Sequence, residues 1–105
     1  MQIKKSYVVR FDEATTLDDI PYYDWRREKY IGYEGVLFVV KEDEMQHIQW
    51  NMLKDEIVDF TKGLVSSNGD VTISNDTIKV KTENSYYYFS IIDKKVLEID
   101  QIKLW

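Results

Sequence analysis

The sequence predicts a β-rich α+β fold: one domain, 1–105, built on an antiparallel meander of six to eight strands with one or two short helices. Three observations carry that expectation. The second half of the chain alternates apolar and polar residues in short segments separated by turn pairs. A chain of 105 residues has room for one core and not for two. It contains no cysteine, so nothing points to a disulfide scaffold or a thiolate metal site.

Each element follows in order. Residues 3–11 read as a strand whose apolar content is Tyr7, Val8, Val9 and Phe11. Across 12–34, Pro21 suits a first helical position and Gly32 a stop, which gives a short helix over 21–31; a long ordered loop competes with it equally. The run Gly35-Val36-Leu37-Phe38-Val39-Val40 is the most hydrophobic of the chain and reads as a central strand, and the triplet Glu42-Asp43-Glu44 as the turn after it. Ile48, Trp50 and Met52 then alternate with His47, Gln49 and Asn51, the pattern of a hairpin partner with one buried face. Leu53, Ile57, Phe60 and Leu64 follow at helical spacing, with Gly63 as a stop. The two signals are reconciled as strand to about Met52 and helix from about Lys54 to Lys62.

Beyond Asn68-Gly69, the strongest turn pair of the chain, the meander is plain. Strands are expected over 71–74, 77–82 and 85–92, turned by Asn75-Asp76 and Glu83-Asn84. The last, Ser-Tyr-Tyr-Tyr-Phe-Ser-Ile-Ile, suits a strand covered on both faces. Asp93-Lys94-Lys95 turns the chain into 96–99, and 102–105 adds a short edge strand.

Charge divides the chain differently. Residues 1–11 carry +3, residues 12–59 carry thirteen acids against five bases, and residues 60–105 are neutral, for a total of −5. The ordinary reading of such a stretch is a solvated surface. The sharper one is an acidic face that steers a basic partner. A net negative charge argues against general nucleic-acid binding, and no apolar run is long enough to span a membrane as a helix. The N-terminus lacks a secretory h-region, so a cytoplasmic protein is expected.

Catalytic constellations find little support. His47 is the single histidine, too few for a triad with an orienting acid or for a helical di-iron site beginning at Glu44. Asp93-Lys94-Lys95 matches an acid-x-lysine nuclease pattern, but it falls where a hairpin must turn. Gly32-Tyr33-Glu34-Gly35 outlines a phosphate clamp whose centre has the wrong charge. No enzyme activity, cofactor or metal is therefore expected.

Residues 22–33 concentrate five aromatics and two arginines. Such a segment ordinarily covers one end of a sheet with its rings. Tyr, Trp and Arg are also the types that dominate binding hot spots. Stacking on single-stranded nucleic acid is a third reading, and the surrounding negative charge opposes it.

In overall character the chain resembles small intracellular inhibitors, such as immunity proteins for secreted toxins and phage-encoded blockers of host defence; no motif carries that likeness. It implies a protein-binding inhibitor of a more basic partner, a nuclease or nucleoprotein effector being one class. The expected contact residues are Asp18, Asp19, Tyr22, Tyr23, Asp24, Trp25, Arg26, Tyr30, Glu42, Asp43 and Glu44. The carboxylates would steer and imitate phosphate spacing, while Tyr22, Tyr23, Trp25, Arg26 and Tyr30 would act as desolvated anchors. The alternative is a small-molecule-binding barrel or sandwich lined by Trp50, Tyr86 and Tyr88. Assembly of copies through an exposed strand edge is compatible with both.

Overall fold

The computed structural model describes residues 2–18, 20 and 28–93, with side chains at 6–18, 20 and 29–92. Seven strands form one antiparallel sheet: β1 (Gln2–Thr16), β2 (Glu34–Glu42), β3 (Met45–Lys54), β4 (Ile57–Val65), β5 (Gly69–Ser74), β6 (Thr77–Thr82) and β7 (Ser85–Asp93). Their order is β4-β3-β2-β1-β7-β6-β5, so β1 is central and β2 is its neighbour. Among the described residues the one helical element is a 3-10 turn, Glu28–Tyr30. No helix there is long and apolar enough to cross a membrane.

The helix expected over 54–62 does not form. Asp55-Glu56 turns β3 into β4, and Lys54↔Ile57 and Leu53↔Val58 pair across the hairpin. The helical spacing arises because β4 is interrupted. Asp59 pairs with Met52 and Gly63 with the adjacent Asn51, so Phe60-Thr61-Lys62 bulge out of the ladder. Resetting a two-residue alternation by an odd insertion places apolar residues at intervals of three and four. Of the other expected helix, residues 21–27 lie outside the described residues, as do the strands expected over 96–99 and 102–105.

β1 runs beyond the expected end at Phe11. Its first part pairs with β2, from Gln2↔Lys41 to Arg10↔Glu34. Its second part pairs with β7, from Val8↔Asp93 to Thr16↔Ser85, with register shifts at Val8/Val9 and Phe11/Glu13. Asp12, which falls just past the expected strand end, is accommodated in the strand. Arg10 Nε donates to its Oδ1 at 2.7 Å and Ser90 Oγ donates to its Oδ2. Two wings thus hang on one bent strand: β2-β3-β4 on one side and β7-β6-β5 on the other.

The connection from β4 to β5 forces the wings together. In a flat sheet the two edges of seven strands would stand about 29 Å apart at about 4.8 Å per gap. The residues between Val65 and Gly69 can span only about 14 Å. The sheet must therefore curl, and β5 indeed lies against β3. The concave side is the core, drawn from both wings: Phe11 of β1 meets Trp50 of β3 edge-on at 5.5 Å and Phe89 of β7 at 5.0 Å. Gly35 of β2 has no substitute there, because a Cβ would collide with the Trp50 indole.

The convex side differs between wings. On β7 the side chains alternate, with Tyr87 and Phe89 in the core and Tyr86 and Tyr88 partly covered on the convex face, so the expected two-sided cover is only partial there. β2 is the strand buried on both faces. Val36, Phe38 and Val40 form a second apolar cluster on its convex side with Leu53, Val58 and Phe60. Gln49 and Asn51, expected on an open face of β3, are buried beside it.

Candidate partner-binding surface

The acidic triplet sits at the tip of the β2–β3 hairpin. Glu42 and Met45 pair across it, and Asp43-Glu44 make the two-residue turn, all four exposed. The base of this hairpin is firm, since Val40 and Ile48 on the two strands are completely buried. Asp43 takes a positive φ of 55°, a left-handed conformation that glycine, asparagine and aspartate adopt most readily. Met45 beside the carboxylates is 60% exposed, and Asn68 Nδ2 donates to its sulfur at 3.2 Å. The tip is thus three carboxylates around one accessible apolar side chain.

Asp18 stands apart from that tip. It lies in the turn after β1, where its backbone N–H and that of Ile20 both donate to Thr16 Oγ1 at 3.3 Å. β1 ends there while β2 begins opposite Arg10, so Asp18 and the triplet occupy opposite ends of the β1–β2 ladder. Asp55-Glu56 likewise caps the end of β3 remote from the triplet. The carboxylates at 18 and 42–44 therefore belong to two separate surfaces.

Of the expected anchors, Tyr30 is described, and only 9% of it is exposed. Its ring packs on Trp50 at 5.7 Å, and its carbonyl accepts from Tyr33 N at 3.2 Å. It is a core side chain at one end of the curled sheet, which is the structural role aromatic-rich connections commonly play. Asp19, Tyr22, Tyr23, Asp24, Trp25 and Arg26 lie outside the described residues.

The three rings of the ligand-pocket reading do not meet. Trp50 is sealed in the concave core; its Nε1–H is the one buried side-chain polar atom among the described residues that has no hydrogen-bond partner. Tyr86 and Tyr88 lie on the convex face, 6.1 Å apart, with Lys79 Nζ 4.3 Å above the first ring and 5.6 Å from the second. Asp93 closes β7, and Lys94 and Lys95 fall outside the described residues. Among the described residues no three His, Cys, Asp or Glu side chains converge on one point.

A different pocket is present, and sequence reasoning missed it. It opens where the 3-10 turn, the end of β3 and the β4 bulge meet, and Lys29, Lys54 and Lys62 contribute to its wall. Those lysines lie far apart along the chain, two of them inside its acidic stretch. The usable signal was Gly63 after an odd break in alternation, which marks a bulge.

No family model, no curated protein and no solved structure matches this chain significantly.

Proposed function

We propose that this chain is a small inhibitor that binds a more basic protein partner by surface complementarity rather than by catalysis, in the manner of an immunity or anti-defence protein in the cytoplasm. The observation that carries the reading is the Glu42-Asp43-Glu44 tip: three exposed carboxylates on a hairpin whose base is buried. Asp43 takes a left-handed turn position that aspartate tolerates as asparagine does, so the turn carries its charge at little backbone cost. Carboxylates so placed raise the encounter rate with a positive partner, and Met45 supplies apolar contact once water leaves. Tyr22, Tyr23, Trp25 and Arg26 remain the anchors of this reading, with Asp18, Asp19 and Asp24 as a second acidic patch. A filled concave core favours a surface binder over a barrel that encloses a ligand.

The test is capture of partners from the native host by the tagged protein, beside a Glu42→Lys/Glu44→Lys variant. A basic protein recovered at low salt, lost at high salt and lost with the variant supports the reading. Equal capture by both forms, or capture of acidic or neutral proteins alone, would falsify it.

A further inference from the structure

The most acidic stretch of the chain holds a pocket of the opposite sign. Its volume is about 460 Å³, within the range of sites that enclose small organic ligands. Lys29, Lys54 and Lys62 are three of the residues that line it, and no acidic residue is among the described ones that do. Among the described residues the rest of the lining is Tyr30, Tyr33, Met52 and Leu53, two phenols and two apolar side chains. Cations on the wall and a ring-sized apolar floor are the complement of an aromatic anion.

The walls are built rather than fortuitous. Lys62 reaches the pocket because β4 bulges by three residues between Asp59 and Gly63, and that bulge is fixed at both ends. Asn51, only 2% exposed, donates from Nδ2 to the Lys62 carbonyl at 3.4 Å. Asp59 Oδ1 accepts from the Thr61 backbone N–H at 2.9 Å and from its hydroxyl at 2.5 Å. The opposite wall is tied to β1: Gly32 N donates to Phe11 O at 2.7 Å, and Phe11 N to Tyr33 O at 3.0 Å. Tyr30 is held against Trp50, and Lys29 Nζ already lies 5.3 Å over the Tyr30 ring. Asp59, whose Oδ1 accepts both hydrogen bonds from Thr61, is the nearby counter-charge to Lys54 and Lys62 and offsets part of their field, leaving the lysines in excess.

We propose that this pocket binds a small organic anion: a phosphate or carboxylate group carried on an aromatic ring. The ring lies against Tyr30, Met52 and Leu53, and the anionic group lies among Lys29, Lys54 and Lys62. The site is independent of the acidic hairpin tip, and each can fail without the other.

The test is an amide chemical-shift titration of the whole chain with phenyl phosphate, with inorganic phosphate and phenol as comparison probes. Saturable shifts are expected at 29–33, 52–54 and 62 with phenyl phosphate, with a Kd below about 1 mM. Inorganic phosphate and phenol are each expected to bind at least about tenfold more weakly. Lys54→Gln/Lys62→Gln should weaken phenyl phosphate by about tenfold or more, while Lys54→Arg/Lys62→Arg retains most of the binding. Both lysines are exposed, and the same spectra report that each variant is folded. Linear, unsaturated shifts with phenyl phosphate would overturn the proposal. So would saturable binding that the glutamine pair leaves within about twofold, or equal affinity for phenol.

Discussion

The convex faces of the two wings show what one extra turn of backbone can do. β6 and β7 alternate, with Ile78 and Val80 in the core and Lys79 and Lys81 in water. That is the ordinary division of an antiparallel sheet with one solvated side. β2 has the same neighbours in kind, yet Phe38 on its convex side is as buried as Leu37 on its concave side. The difference originates in β4. Its bulge swings Phe60 over β2, where the ring stacks on Phe38 at 6.4 Å and 21° between planes. Gln49 and Asn51 are buried in the same wing; Gln49 Nε2 donates to Asn51 Oδ1 at 2.8 Å, and Asn51 holds the bulge carbonyl. One wing has two apolar layers and the other has one.

The sharpest way to break this comparison is to truncate one convex-face ring in each wing. Phe38→Ala removes a completely buried phenyl and should cost about 3–4 kcal/mol. Tyr88→Ala removes a partly buried ring and should cost about 1–2 kcal/mol, its contacts with Tyr86 and Lys79 included. Urea denaturation of both variants gives the two values. Similar costs would mean that the convex faces are not energetically distinct.

The next effect concerns the fastening of the bulge. Asn51→Ala leaves the buried Gln49 amide and the Lys62 carbonyl short of a partner, which should cost about 1–3 kcal/mol. Asp59 acts on the same loop with a pH signature. Hydrogen bonds from Thr61, its hydroxyl first and then its backbone N–H, hold the Asp59 carboxyl below the ordinary carboxylate range. A group with a depressed folded pKa stabilises fully above its unfolded value and loses that contribution as the pH falls through the folded one. The stability gap between the native chain and Asp59→Asn should therefore be constant near neutrality and close below about pH 4. A gap that persists at low pH would assign the effect to something other than the charge.

This second layer is also where the sequence was hardest to read. The meander 71–92 is legible because alternation, Asn75-Asp76 and Glu83-Asn84 all agree. Leu53, Ile57, Phe60 and Leu64 mimic a helix because a turn and a bulge change the period, and Gly63 is the one residue of the sequence that marks the insertion. Asn51 reads as surface because its partner is a backbone carbonyl that only the bulge brings near. The acidic tip was legible residue by residue, since a hairpin turn after an apolar run puts Glu42-Asp43-Glu44 in water wherever the strands go. Its separation from Asp18 was not, because that depends on β1 outrunning β2.

The smallest expected effect tests the wings at their turns. Asn75 turns β5 into β6 with φ 52°, while Asp55 and Glu56 turn β3 into β4 with φ 53° and 64°. Asparagine visits the left-handed region with little penalty, because its short amide can bond locally; glutamate has no such compensation. Asn75→Gly should therefore change stability by a few tenths of a kcal/mol, a sum of relaxed strain and greater freedom of the unfolded chain. Glu56→Gly releases more strain against the same entropic cost and should stabilise by about 0.5–1 kcal/mol. Thermal melts of the two variants side by side make the measurement. If Glu56→Gly proves neutral or destabilising, the carboxylate contributes within the folded chain. If it stabilises as expected, the native residue is held there against backbone preference, and its charge becomes a further candidate for partner contact.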